Sequence, residues 1–96
     1  MKLNEISRKI DKIDRELLVL LQERMGMALR SKKFKETISD PDREANMFAR
    51  VDRLNLDLVE RSFTRQLLKT IVQESKRLQL LLALFTGTDR SAVLDE

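Results

Sequence analysis

Apolar residues recur every three or four positions through the first third of the chain, which predicts one long amphipathic helix. This stripe consists of Ile6, Ile10, Ile13, Leu17, Leu20 and Leu21. Continued at the same steps, it meets Arg24, Ala28, Ser31 and Lys35. Such positions share one helix face, so Arg24 and Lys35 should point inward with the leucines. An unpaired buried cation is costly, and we therefore expect an anionic side chain or ligand beside them.

The signals for a second helix follow the first closely. We expect helix 1 to span about residues 3–35 and helix 2 about residues 41–54. Asp40 is the predicted N-cap of helix 2, with Pro41 as its first residue. A capping box over 39–42 is the close alternative for the same start.

A third helix completes the predicted domain. We expect Asp57 to cap this helix, with Glu60 three residues on, and Gly87 to mark its end. Its apolar positions are Leu67, Leu68, Ile71, Val72, Leu78, Leu82 and Phe85. The pattern predicts an all-α fold, with one helical domain over residues 1–86 and a disordered tail over 87–96.

The length of helix 1 predicts a second copy of the chain. At 1.5 Å per residue the helix would extend ~48 Å, whereas a compact 100-residue domain has a radius of gyration near ~13 Å. Two shorter helices cannot cover its apolar stripe. We therefore predict an obligate, intertwined homodimer, a six-helix bundle whose two long helices run antiparallel.

Composition agrees with the all-α class and removes several kinds of chemistry. The 96 residues include two glycines, one proline and four aromatic residues, too few for the turns and strands of a β-protein. Cysteine and histidine are absent, so disulfides, thiolate nucleophiles and the commonest metal ligand are excluded. We expect no cofactor and no metal. Catalysis would have to rest on charge placement and shape.

Charge and hydropathy point to a small anionic ligand. The net charge is +3, but lysines and arginines alternate with acids and lack interleaved aromatic residues, which argues against nucleic-acid binding. No segment approaches the ~18 apolar residues of a membrane span, and no signal peptide is recognisable. We expect a cytoplasmic protein with neither nucleic acid nor membrane as a partner.

Polar residues interrupt all three predicted inner faces and should converge on one pocket. These residues are Arg24, Ser31 and Lys35 on helix 1, Asp40, Asp42, Arg43 and Glu44 on helix 2, and Ser75 and Gln79 on helix 3. Ligand sites in helical bundles are built in this way. Because the three cations Arg24, Lys35 and Arg43 outnumber Glu44, the acid expected to point inward, the pocket should be net positive and prefer a polyanion.

Each of these residues also has an ordinary structural interpretation. Arg24 could extend to solvent or pair with an acid of another helix, and Lys35 could simply favour a helix C-terminus. Asp40 could be only an N-cap. Ser75 could bond the carbonyl four residues back, and Gln79 could lie on the surface. The site prediction rests on their convergence.

Three segments of the chain resemble the all-helical, AroQ-class chorismate mutases. Residues 10–24, IDKIDRELLVLLQER, match the family's opening run I-D-x-I-D-x-x-L-L-x-L-L-x-x-R. Lys35, eleven residues after Arg24, precedes DPDRE at 40–44, close to D-P-x-R-E. Residues 71–79, IVQESKRLQ, match I-I-x-x-S-x-x-x-Q. The resemblance covers roughly residues 6–80.

This resemblance implies a pericyclic rearrangement of chorismate to prephenate. The substrate is a dianion that must fold into a compact diaxial chair, while charge develops on the breaking ether oxygen. Cations would fix that conformer, and donors would stabilise the oxygen in a water-poor cavity. By resemblance, Arg24 and Arg43 would bind carboxylates. Lys35 and Gln79 would donate to the ether oxygen.

The remaining roles include one departure from the family. Glu44 would accept from the ring hydroxyl with Asp40 nearby, and Ser75 would support a carboxylate contact. Where the family usually has an arginine that reaches into the partner subunit's pocket, this chain has Ser7, with Arg8 beside it. The predicted connection between helices 1 and 2 is also shorter than is usual in the family.

These departures leave other functions open. The same scaffold could act on a chorismate relative, as an isochorismate–pyruvate lyase or a 4-amino-4-deoxychorismate mutase. A non-catalytic helical dimer is the alternative from a different class.

Overall fold

Three helices form the fold in the computed structural model, which describes residues 2–32, 38 and 40–86. They are α1 (Leu3–Ser31), α2 (Pro41–Asp52) and α3 (Arg61–Thr86). Within those residues the chain forms no strand. The predicted all-α class and the number of helices are therefore confirmed.

The first helix ends earlier than its apolar period predicted. We expected it to continue to about Lys35, but α1 stops at Ser31 and Lys32 forms a 3₁₀ turn. The Ser31 hydroxyl donates to the Ala28 carbonyl at 2.8 Å, a local bond that competes with helix continuation. Lys35 itself lies outside the described residues, as does the predicted tail.

The start of α2 follows its sequence signal. The backbone N–H of Arg43 donates to Asp40 Oδ1 at 3.2 Å, and Pro41 occupies the first turn, as predicted. Residue 39 of the competing capping box lies outside the described residues. The helix ends at Asp52 rather than near Leu54, because bonds from Arg53 and Leu54 to carbonyls three residues back tighten the last turn.

The predicted start of α3 was wrong. Asp57 does not cap the helix; it lies in a bend, and α3 begins at Arg61. The Glu60 carbonyl accepts from the Thr64 N–H at 3.0 Å, which places Glu60 at the N-cap position. An Asp cap is worth only about 1 kcal/mol. The packing of α2 against α3 outweighs this capping signal, because the chain must reverse between the two helices for them to pack together.

The central element is α3, which packs against both other helices. Arg65 ties it to α2: its guanidinium lies 5.4 Å from the Phe48 ring centroid, and its Nη1 lies 3.5 Å from Asp52 Oδ2. The best-buried side chains in the described part of the chain are unusual, because polar Lys32, Ser75 and Gln79 stand beside apolar Val72 and Ala83.

The N-terminal part of α1 projects from this packing. At 29 residues α1 is ~43 Å long, and the molecule measures 58 × 27 × 20 Å with a radius of gyration of 17.1 Å. Several stripe residues are exposed in the single chain: Ile6, Ile10, Ile13, Leu17 and Leu20. None of the described helices combines the length and apolar character needed to cross a bilayer.

Candidate functional site

A cavity of about 180 Å³ lies where the C-terminal part of α1 meets α2 and the middle of α3. Seven of the polar residues predicted to converge on one pocket line it: Arg24, Ser31, Asp40, Arg43, Glu44, Ser75 and Gln79. Apolar wall is supplied by Met27, Met47 and Val72. Pockets for drug-sized ligands usually enclose ~300–1,000 Å³, so this cavity suits a small metabolite.

Arg24 crosses from α1 toward the other two helices, as the stripe predicted. Its Nη1 donates to Ser75 Oγ at 2.8 Å, and its Nη2 lies 3.6 Å from the Met47 sulfur. Burial, and then the positive charge of Arg43, lower the pKa of Arg24 from its ordinary value. A cation held by neutral groups and facing another cation would gain from a bound anion.

The two α3 residues that break the apolar face are both buried. Ser75, 7% exposed, accepts from Arg24 and donates to the Ile71 carbonyl at 3.0 Å, so its local bond and its site contact coexist. Gln79, 3% exposed, donates from Nε2 to the Ala28 carbonyl at 2.7 Å. An amide nitrogen carries two hydrogens, so Gln79 retains a second one to donate.

The first turn of α2 brings opposite charges to the same cavity. Asp40 lines it while capping the helix, and Arg43 and Glu44 follow on the cavity side. Glu44 does not stand free, because its Oε1 lies 2.7 Å from the Lys76 ammonium of α3.

Lys76 is the lining residue that sequence reasoning missed. It stands between Ser75 and Gln79 in a segment already singled out, but a lysine within a helix ordinarily faces solvent. In the structure Lys76 lines the cavity, and Glu44 of α2 lies against its ammonium. Its spacing of three residues before Gln79 was the available signal.

Among the described residues, two that the sequence predicted for the pocket, Asp42 and Ser7, do not line this cavity. Lys35 lies outside the described residues. Ser7 is exposed near the N-terminus of α1, 17 residues and therefore ~25 Å along the helix axis from Arg24. Within one chain it cannot reach the cavity, so any role for Ser7 requires a second copy.

The arrangement can bind and orient an anion. The described residues contain no cluster of three carboxylate, histidine or cysteine side chains that could hold a metal ion. The cavity instead combines fixed cations, an amide donor and apolar wall. Such a site can hold a charged ligand in one conformation and stabilise charge that develops on it.

Comparisons with known proteins agree with this chemistry. The family model described as chorismate mutase type II matches residues 6–80, which is most of the chain. A bifunctional chorismate mutase/prephenate dehydratase of Aquifex aeolicus (strain VF5) is 35% identical over 77 residues. That match covers 76% of this chain but only 21% of the relative, so the chain spans about a fifth of its length. No solved structure matches the chain significantly.

Proposed function

This chain belongs to the chorismate mutase type II family, and from that premise we propose that it rearranges chorismate to prephenate. The observation that carries the proposal is the inward position of Arg24, bonded to Ser75 and lining a small cavity at the junction of three helices. Burial and the charge of Arg43 destabilise the Arg24 cation and lower its pKa, so a substrate carboxylate beside it would be stabilising.

The reaction breaks the ether C–O bond and forms a C–C bond in one cyclic step, without proton transfer. Arg24 and Arg43 would hold the two carboxylates and select the folded diaxial conformer. Lys35 and Gln79 would donate to the ether oxygen as negative charge develops there. Burial of Gln79 supports this role, because its amide is already oriented by the Ala28 carbonyl.

The acidic residues would set the position of the ring. Glu44 would accept a hydrogen bond from the ring hydroxyl, and Asp40 would lie near it while it caps α2. Ser75 would support the carboxylate contact through Arg24. No cofactor or metal is required by this mechanism.

The proposed enzyme is a homodimer with two shared sites. The exposed stripe of α1 supports this, because burying apolar surface gains roughly 25 cal/mol per Å² and large exposed patches mark interaction surfaces. Antiparallel α1 helices would carry the N-terminal end of each, with Ser7, toward the partner's cavity.

Steady-state assays on three substrates test the proposed reaction. We expect turnover of chorismate in preference to isochorismate and 4-amino-4-deoxychorismate. Consumption of one of these relatives without consumption of chorismate would favour the isochorismate–pyruvate lyase or the 4-amino-4-deoxychorismate mutase alternative.

A thermal shift with a bicyclic dicarboxylate mimic of the transition state tests the non-catalytic alternative. Ligand at 100 times its dissociation constant should add about 2.7 kcal/mol to the free energy of unfolding. An unchanged melting temperature at saturating mimic would favour a helical module that has kept the fold without the activity.

A further inference from the structure

Lys76 lies on the cavity wall, and the family resemblance gives it no role. It follows Ser75 directly and precedes Gln79 by three residues, so the same stretch of α3 presents all three to the cavity. Its ammonium lies 2.7 Å from Glu44 Oε1, which ties α3 to the first turn of α2.

The charge balance of the cavity depends on this lysine. Among the lining residues that the structure describes, the cations are Arg24, Arg43 and Lys76, and the carboxylates are Asp40 and Glu44. Without Lys76, cations and carboxylates would be equal in number. Lys76 is therefore one of the three cations that give the described wall its excess of one positive charge, and a dianion is attracted by that excess.

The positions of the cations suit a ligand with two separated carboxylates. Arg24 enters from α1 and contacts α3 through Ser75, whereas Lys76 stands where α3 meets α2 through Glu44. Two cations thus approach the cavity from different helix junctions. Ser7, the position at which a further cation would be expected, carries no charge.

The Lys76–Glu44 pair can open at little cost. The Lys76 and Glu44 side chains are 34% and 26% exposed, and partly solvated ion pairs contribute little to stability. We propose that Lys76 is a substrate-binding residue that leaves Glu44 for one carboxylate of a dicarboxylate ligand. This rests on the proposed function. The exchange also frees Glu44 to accept from the ring hydroxyl.

The test compares ligands that differ by one charge. Dissociation constants would be measured by titration calorimetry for the bicyclic dicarboxylate mimic and for each of its two monomethyl esters, with the parent and Lys76→Met. We expect Lys76→Met to weaken the dicarboxylate by about 10- to 100-fold, the value of one charged hydrogen bond. For one of the two monoesters, Lys76→Met should weaken binding by less than about threefold. Esterification has already removed the carboxylate that contacts Lys76 in that ligand.

Arg77→Met is the matched control. Arg77 is the next residue of α3, and it also pairs with a glutamate, Glu74, but it does not line the cavity. Its replacement should change every affinity by less than about threefold. Lys76→Arg should retain most of the dicarboxylate affinity, and thermal melts would establish that each variant is folded.

The outcomes distinguish a failure of the Lys76 inference from a failure of the proposed function on which it rests. Equal losses for the dicarboxylate and both monoesters would show that Lys76 acts only through Glu44, and the inference would fail. It would also fail if Lys76→Met bound all three ligands like the parent. If the parent neither converts chorismate nor binds the mimic, the proposed function fails and takes the inference with it.

Discussion

The two halves of α1 differ in how far the other two helices cover them. In the C-terminal half, partly buried Arg24 donates to Ser75, and Gln79 of α3 donates to the Ala28 carbonyl. In the N-terminal half, apolar residues such as Ile13 and Leu17 are more than half exposed. The single chain therefore satisfies the polar end of this helix and leaves the apolar end uncovered.

This difference separates the site from the surface that stabilises it. The hydrogen bonds around Arg24 come from helices of one chain, so one chain can build most of the cavity. The apolar stripe contributes to stability only when water is removed from it, which needs a second surface. We expect changes at the polar end to alter ligand binding and changes at the apolar end to alter stability.

The largest effect is expected from Arg24→Met. Charged hydrogen bonds contribute about 1.5–3 kcal/mol each, so loss of a bidentate contact should lower kcat/KM by about 10²- to 10⁴-fold. Melting should change little, because a partly buried cation adds little stability. Arg30→Met, at an exposed position of α1 six residues on, is the control. Activity within a few-fold of the parent would remove Arg24 from the site.

Leu17→Ala sharpens the comparison from the other end. In the single chain Leu17 is 58% exposed, and truncation of an exposed residue changes the free energy of unfolding by under about 0.5 kcal/mol. In the proposed dimer it should cost about 2–5 kcal/mol, with melting that depends on protein concentration. Val19→Ala, 57% exposed but on the other side of α1, is the control. Equal, small effects would contradict the dimer.

Ser7→Arg tests the proposed dimer and the cavity in one experiment, because residue 7 lies in the N-terminal half of α1 and the cavity at its C-terminal half. If antiparallel helices bring residue 7 to the partner's cavity, a new guanidinium should raise kcat/KM by about tenfold. Ser7→Gln, similar in reach but neutral, should give no comparable gain. No gain or a loss with arginine would indicate a substrate of different shape, or helices arranged otherwise.

The smallest effect is expected from Ser75→Ala. It removes a neutral acceptor that orients Arg24, which should lower kcat/KM about two- to tenfold. Ser62→Ala, at an exposed position of α3, should change nothing measurable. A loss as large as that of Arg24→Met would mean that the Ser75 hydroxyl contacts the substrate itself.

Periodicity predicted the features that depend on one helix at a time. The inward direction of Arg24 and the shared face of Ser75 and Gln79 follow from helical spacing alone. The Asp40 cap is equally local, because its side chain bonds a backbone group three residues away. Once three such faces are packed together, their polar residues meet, and this is why the predicted site residues gathered in one cavity.

The features that sequence reasoning missed depend on how helices meet. Asp57 carried a valid capping signal, but the turn between α2 and α3 required the chain to stay non-helical until Arg61. The contact between Lys76 and Glu44 joins two different helices, so no pattern within α3 alone could predict it. Local signals such as helix caps and propensities are worth about 1 kcal/mol, and packing between helices outweighs them.

The bond from Gln79 to the Ala28 carbonyl has a consequence for redesign. The same amide that lines the cavity also fastens α3 to α1, so replacing it alters architecture and selectivity together. The Arg43 side chain has no comparable structural role, because it is exposed. It is the backbone N–H of Arg43 that donates to Asp40. Engineering of new ligand preferences should therefore begin at Arg43 and leave the buried amide untouched.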